Sequence, residues 1–492
     1  FSFNFSVFCC SMKLIKFLFF ALLFCFQAGT IAQWESDTRL TNNSSQSLPA
    51  YNNAKTIGSD GSTLHTVWTD GRDGNLEIYY KRSANSGVSW NADIRLTNST
   101  GSSYYPAIHV SGNTVLVIWT DNRDGNYEIY FKRSNDGGNT WSADTRLTNN
   151  ASVSDYPSID ASGSIVIIAW QDNRDGNYEV YSKRSADGGN NWEADQRISS
   201  NSSFSEYPAV TISGLKVNIA WEDNRDGNRE IYNKYSVDGG VTWSGENRLT
   251  NNSSQSTSVS ITSEGDFVDM TWSDQRDGNW EIYYKYSADG GMTFGSDQRL
   301  SSASGNSWYP SIATDDSFIH ICWQDARDGN NEVYYKISTD GGANWLGDTR
   351  LTNDAGASNT PSINISGAAL HIVWSDNRDG NTEIYYKRNP SGNPIGIVPV
   401  STTIPSGYSL DQNYPNPFNP VTNIQFALPN AGNVKLAVYD MNGKEVAVLV
   451  NGQLAAGTYK ADYNASSLAS GVYFYKLTAK DFTATKKMIL IK

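Results

Sequence analysis

The sequence predicts an all-β chain, a closed ring of seven four-stranded sheets followed by a small β-sandwich, and three observations carry that prediction. Tryptophans Trp68, Trp119, Trp170, Trp221, Trp272, Trp323 and Trp374 stand 51 residues apart, each followed four residues later by Arg-Asp-Gly-Asn. Each 51-residue unit reads as four short strands, with no helical period. The repeat stops after Arg388, where a Pro-, Ser- and Gly-rich stretch leads into different alternating runs. A fixed period of this length marks a repeat architecture.

The first element in chain order is a targeting segment. Met12-Lys13-Leu14-Ile15-Lys16 is basic, 17–26 is apolar, and Thr30-Ile31-Ala32 suits cleavage. Residues 1–32 therefore read as upstream residues and a signal peptide starting at Met12, with Gln33 opening the mature chain. The apolar run is too short for a membrane span, so no transmembrane segment is expected in the mature chain. Cleavage would leave Cys322 as the one cysteine, which excludes a disulfide within one mature chain. Its place in the apolar run 319–323 indicates a buried thiol. A formal charge of −13 over 492 residues argues against nucleic acid and anionic membrane surfaces as partners. His65, His320 and His371 each lie three residues before a repeat tryptophan, in a strand column filled elsewhere by Leu116 and Ile167, and read as structural. No metal site is expected.

Residues 33–390 form the repeat region, and the unit 98–148 shows its elements. Residues 105–110 are a short β-prone run ended by Ser111-Gly112-Asn113. The run 114–119 (TVLVIW) is apolar on both parities, as suits a strand buried on both faces. Asp124-Gly125-Asn126 is a tight-turn signal, and 128–133 returns as a third strand. Asp136-Gly137-Gly138-Asn139 then turns the chain into a fourth strand over 141–148. A sheet this small cannot bury its own faces, and radial stacking of such sheets is a β-propeller. The seventh unit lacks a fourth strand, whereas 34–41 (WESDTRLT) matches 141–148 (WSADTRLT). The N-terminal strand therefore completes the seventh blade, which removes exposed edges. Thirteen of the fifteen tryptophans fall in two columns, the end of the second strand and the start of the fourth. A side chain burying ~150–250 Å² suits the packing of sheet on sheet there. Trp280 and Trp308 fall outside both columns.

Ser134-Asn135-Asp136-Gly137-Gly138-Asn139-Thr140-Trp141 resembles the Asp-box, the S-x-D-x-G-x-T-W signature of sialidase-like (BNR-repeat) propellers. Copies place Asp187, Asp238, Asp289 and Asp340 at the same position, and a degraded copy has Asn85 there. The resemblance implies a turn between third and fourth strands, on the face opposite the active site. The aspartates are expected to be structural, since Asp accepts backbone N–H bonds in a tight turn. Sialidases are similar in blade type but six-bladed. Their site joins an arginine triad, a tyrosine nucleophile with a glutamate partner, and an acidic aspartate, and their F-R-I-P-like motif has no counterpart here. Nearly every Arg, Asp, Glu and Tyr of this chain has copies in most blades, so no unique constellation stands out and no catalytic residue is nominated.

The opposite rim carries the candidate ligand-binding residues. They are Arg72, Asp73, Arg123, Asp124, Arg174, Asp175, Arg225, Asp226, Arg276, Asp277, Arg327, Asp328, Arg378 and Asp379 from the RDGN turns. Tyr105, Tyr156, Tyr207 and Tyr309, which precede prolines, join them, with Trp308 beside the last and Trp280 after an RDGN. Two roles suit the turns. Arg123 and Glu128 can pair as strand-end braces, or the set can form a ring of polar hooks for sugar hydroxyls or calcium. The D-x-x-D-G-N-x-E spacing does not match an EF-hand loop, so no cofactor is assigned, calcium remaining the alternative. The residue after each RDGN varies: Leu76, Tyr127, Tyr178, Arg229, Trp280, Asn331, Thr382.

Residues 391–405 read as a linker. Beyond it, 406–492 resembles a type A sorting domain of the type IX secretion system. The resemblance rests on Tyr414-Pro415-Asn416-Pro417-Phe418-Asn419-Pro420, Val438-Tyr439-Asp440, Ala456-Gly457-Thr458-Tyr459, Ser470-Gly471-Val472-Tyr473 and Lys487-Met488. Alternating runs at 434–439 and 472–477 independently indicate a small Ig-like β-sandwich. The resemblance implies a Bacteroidetes-type Gram-negative source, the secretion machinery as a partner, and a secreted or outer-membrane-surface location. The reading taken from these residues is a secreted or cell-surface propeller that binds an extracellular glycan, glycoprotein or other ligand without catalysis. An exo-α-sialidase-like glycoside hydrolase and a structural or protein-binding surface propeller are the alternatives.

Overall fold

A computed structural model describes residues 34–50, 54–315, 318–367, 369–390, 397–401, 404–454, 456–465 and 468–492. The targeting segment expected at 1–32 and much of the linker expected at 391–405 lie outside the described residues. Every element among the described residues is a strand. No helix there is long and apolar enough to cross a membrane.

Seven antiparallel sheets follow one another as propeller blades. Blade 2 is representative, with strands Ser103–Ser111, Thr114–Asp121, Glu128–Ser134 and Thr145–Arg146. First strands of neighbouring blades lie beside one another at the centre of the ring. The second strands read as continuous apolar runs because they are buried on both faces. The fourth strand has two ladder residues, against the eight expected over 141–148. Isolated bonds extend it on both sides, Ser142 N–H to Arg133 O at 2.8 Å and Leu147 N–H to Ile129 O at 2.8 Å. Between them Asp144 turns to Arg123 and Lys132, and the ladder is interrupted.

The ring closes as the repeat count requires. Thr38–Arg39 pairs antiparallel with Glu383–Asn389, in register Thr38 to Tyr386 and Arg39 to Tyr385. Trp34 meets Tyr335 of blade 6 edge-on at 5.2 Å, and Trp90 of blade 1 meets Tyr386 of blade 7 at 5.0 Å. The same contact recurs between Trp141 and Tyr80, and between Trp192 and Phe131. The core lies between blades. Val67, Ile78 and Tyr80 of blade 1 pack against Val115, Val117 and Trp119 of blade 2. A lysine staple reinforces each junction: Lys132 Nζ donates to Leu96 O of the preceding blade at 2.5 Å and pairs with Asp144 at 2.8 Å. His65, His320 and His371 are buried, each with Nδ1 2.6–2.7 Å from a tyrosine hydroxyl. Cys322 is fully buried, and burial pushes its thiol pKa up.

The C-terminal region is a β-sandwich of two four-stranded sheets. One orders Ile397–Ser401, Gly457–Asn464, Val421–Leu428 and Ser409–Leu410. The other orders Glu445–Leu454, Gly432–Tyr439, Gly471–Ala479 and Phe482–Leu490. Alternate residues Val434, Leu436 and Val438 point inward with Tyr475 and Leu477, as the period of two dictates.

Candidate functional site

The turns between second and third strands define one end of the propeller, and the same frame braces it in every blade. In blade 2, Asp121 is fully buried. Its carboxylate accepts from Trp119 Nε1 at 2.9 Å and Ser103 Oγ at 2.8 Å. Arg123 grips both of its oxygens, Nε at 2.8 Å and Nη2 at 2.6 Å, and sends Nη1 to Asp144 at 2.7 Å. The guanidinium also lies 4.4 Å from the centre of the Tyr130 ring. Burial alone would raise the Asp121 pKa, but bonds from Arg123 and Trp119 hold it below the ordinary carboxylate value.

The other candidate arginines, Arg72, Arg174, Arg225, Arg276, Arg327 and Arg378, make the same bonds to Asp70, Asp172, Asp223, Asp274, Asp325 and Asp376. Each also reaches an acid of the fourth strand. Asp124 accepts the Tyr130 hydroxyl and lies 3.3 Å from Arg146. Asp73, Asp175, Asp226, Asp277, Asp328 and Asp379 take the equivalent tyrosine hydroxyls. The expected Arg123–Glu128 pair is not formed. Asp121 and Glu128 are cross-strand partners, and Arg123, two residues past Asp121, folds back onto it. Glu128 instead accepts from Arg146 at 2.7 Å.

Next to this frame runs a ring that no two blades share. The residue between the repeat tryptophan and the buried aspartate pairs across strands with the second residue of the first-strand segment. The pairs are Leu48 with Thr69, Tyr104 with Thr120, Asp155 with Gln171, and Glu206 with Glu222. Thr257 with Ser273, Trp308 with Gln324, and Asn359 with Ser375 complete it. The following residue bulges out of the ladder at positive φ: Tyr105 (50°), Tyr156 (51°), Tyr207 (54°), Ser258 (58°), Tyr309 (49°) and Thr360 (47°). Left-handed backbone at a non-glycine residue is sterically costly and clusters at functional sites.

These bulges gather the aromatic candidates. Tyr105 and Tyr156 stack at 4.2 Å, and Tyr156 meets Tyr207 edge-on at 4.9 Å. In blade 5 the tyrosine position holds Ser258, and there the arc of rings is interrupted. A cavity of about 440 Å³ occupies the gap, walled by Tyr156, Tyr207, Trp280, Trp308 and Tyr309. Five of the six aromatic candidates thus meet at one cavity, while Tyr105 lies behind Tyr156.

Glu222 and Arg229 also line the cavity. Arg229 donates to Glu222 at 2.5 Å and to Glu206 at 2.7 Å, bridging two carboxylates that face each other across the ladder. Burial raises the pKa of both acids, outweighing the opposing pull of Arg229. Burial also pushes Asp155 up to about 7, against the Gln171 bond and with Glu206 adding to the rise. Glu222 accepts the Ser258 N–H at 2.6 Å, the bond that Gln171 and Gln324 make to Tyr207 and Thr360. Neutral glutamine serves for that bond elsewhere, so the charge of Glu222 answers Arg229. Asp155, Glu206, Glu222 and Arg229 are the asymmetric constellation that sequence reading did not assemble. Their signal lies in columns that vary beside fixed neighbours, and among these only the Arg229 column drew notice.

The opposite rim holds the S-x-D-x-G-x-T-W turns. Asp136 accepts from Asn139 N–H at 3.1 Å, Thr140 N–H at 2.8 Å and Thr140 Oγ1 at 2.6 Å. Asp187, Asp238, Asp289 and Asp340 hold their turns in the same way, and Asn85 accepts from Ser89 N–H at 2.9 Å. Gly138 has φ +81°, and a Cβ there would lie 1.9 Å from the Tyr80 hydroxyl of the preceding blade, so only glycine fits. Among the described residues no group of three or more His, Cys, Asp or Glu side chains is arranged to hold a metal ion.

Residues 62–321 match the family described as BNR repeat-like domain, and residues 412–492 match the secretion system C-terminal sorting domain. No curated protein matches the chain by sequence. Similar solved structures include polysaccharide lyase Uly1, at 9% identity and TM-score 0.52, covering 73% of this chain and 99% of that one. The phage phi92 endosialidase aligns at 9% identity and TM-score 0.47, covering 84% and 74% of the two chains. A Trypanosoma rangeli sialidase mutant displaying trans-sialidase activity aligns at 12% identity and TM-score 0.44, covering 94% and 90%. At these identities the likeness to the lyase concerns the fold alone.

Proposed function

The chain belongs to the BNR repeat-like domain family, and from that premise we propose that it is an exported propeller holding an extracellular glycan, free or on a glycoprotein, without turning it over. The sorting-domain match supports export to the medium or the cell surface through the type IX machinery. In this proposal residues 33–390 are the binding propeller, 391–405 the linker and 406–492 the export domain.

One observation carries the binding reading. In a ring of near-copies, the gap that Ser258 leaves between Tyr207 and Tyr309 is a cavity walled by aromatic rings and edged by charged groups. Apolar walls with a few placed polar groups suit a small ligand, and rings stack on the C–H faces of sugars while polar groups take hydroxyls. The seven RDGN arginines and their aspartates act as the scaffold under this site. Because Arg229 holds both Glu206 and Glu222, those carboxylates serve recognition. The test is a glycan array on the purified protein beside Trp280→Ala and Trp308→Ala. Retention by the parent and loss in both variants is expected; undiminished retention by the variants would contradict the site.

A second reading, a sialidase-like glycoside hydrolase, draws on Asp155, a buried carboxyl lifted to about 7 that precedes the cavity-wall Tyr156 on the same strand. Turnover of fluorogenic sialosides or other glycosides that disappears in Asp155→Asn would decide for it.

A further inference from the structure

The charge balance around the cavity speaks to which sugars it takes. In each frame guanidinium Nε, Nη1 and Nη2 all donate to carboxylates, as Arg174 of blade 3 and Arg276 of blade 5 show. Arg229, the one cation in the cavity wall, spends Nη1 on Glu222 and Nη2 on Glu206. The repeat lysines nearby, Lys183, Lys234 and Lys285, point their ammonium groups at backbone carbonyls of the preceding blade. Among the described residues around this cavity, no cation is left to meet an anionic ligand.

Acid is in excess. Glu206 and Glu222 stand against Arg229 alone, and Asp155 adds a third carboxyl on the strand beside Tyr156. Asp155 is nine-tenths buried, and its Oδ1 has no hydrogen-bond partner, one residue before the cavity-wall Tyr156. Ser273 Oγ is likewise buried without a partner, opposite the cavity-wall Thr257. Neither side chain is part of the cavity wall, so both bear on a ligand as nearby polar groups and not through a direct bond. A sugar carboxylate would add a further acceptor and a further negative charge.

We infer that the cavity is built for an amino sugar with a free ammonium group and against acidic sugars. The inference rests on the glycan reading above and narrows it. An ammonium supplies three donors and the missing positive charge, where a neutral N-acetyl group supplies one donor and no charge. Hydrogen bonds to a charged partner are worth about 1.5–3 kcal/mol, so the preference over the neutral sugar is expected to be roughly tenfold or more.

The experiment measures binding of three hexasaccharides to the full chain by calorimetry at one ionic strength. The probes are glucosamine, N-acetylglucosamine and galacturonate hexamers. The expected order is glucosamine first, N-acetylglucosamine roughly tenfold weaker and galacturonate undetectable. Equal binding of the first two, or galacturonate binding as tight as either, overturns the inference while leaving the glycan reading in place. Failure of all three, together with an empty glycan array, removes the glycan reading and this inference with it. Glu206→Gln is expected to reduce the glucosamine preference about tenfold. Asp155→Asn, which also takes away acid, serves where Glu206→Gln does not fold, and an unchanged preference in the folded variant counts against the inference.

Discussion

The Asp121–Arg123 frame is present seven times with the same partners, whereas the cross-strand pair beside it is different in every blade. Frame and ring lie on the same strands, one residue apart, so the contrast is not one of exposure or location. The frame solves a problem that every blade shares: ending two strands at a turn while satisfying a buried carboxylate, an indole N–H and a guanidinium. The ring solves no common problem, since Gln171, Glu222 and Gln324 reach the next blade while Thr120 and Ser273 do not. Repetition therefore marks scaffold in this molecule, and departure from it marks the candidate site.

The largest effect should come from breaking the ring itself. Deleting 34–41 removes the strand on Glu383–Asn389 and the Trp34–Tyr335 contact, and leaves an open sheet edge. Aggregation or loss of the folded monomer is expected by size exclusion and thermal melting; a monomer melting like the parent would count against closure. Arg123→Ala should come next. It strands the buried Asp121 carboxylate at a cost of about 3–5 kcal/mol, read by chemical denaturation, with ligand retention per folded molecule unchanged.

Asp155→Asn should have a smaller, pH-dependent effect. In the folded chain burial lifts the Asp155 carboxyl to about 7, above an unfolded value of ~3.9. A raised folded pKa contributes stability that is fully present below the unfolded value and is lost as pH rises through the folded one. The parent should therefore lose stability relative to Asp155→Asn between pH ~4 and ~7, by about 1–4 kcal/mol, with no further change above. Melting curves at pH 4.5 and pH 8 would show a gap that opens only at the higher pH. A gap of equal size at both would mean that Asp155 is ionised throughout.

Much of the frame was legible because repetition reports it directly. The 51-residue step, the tryptophan columns and the stray WESDTRLT segment gave blade number and closure without any tertiary information. The partner of Arg123 was not legible. Asp121, Glu128 and Asp144 all lie within reach in sequence, and the choice depends on how the side chain folds back at the turn. The site was only half legible. Tyr156, Tyr207, Tyr309, Trp280 and Trp308 stood out as aromatics near one rim, but Glu206 and Glu222 hid among many acids. What joins them is cross-strand register and one arginine from a hairpin tip, which spacing alone does not fix. The serine that replaces a tyrosine in blade 5 was visible in the sequence, yet its meaning depends on the ring arc around it.

Ser258→Tyr tests the central claim most directly. Tyrosine already occupies the equivalent bulge in four blades at φ 49–54°, close to the 58° of Ser258, so the backbone should accept it. The new ring would fill the cavity and join the Tyr207 and Tyr309 ends of the arc. The account predicts that this variant melts like the parent and retains no glycan that the parent retains. Parent-like retention by a folded Ser258→Tyr protein would contradict the assignment of function to the variable ring.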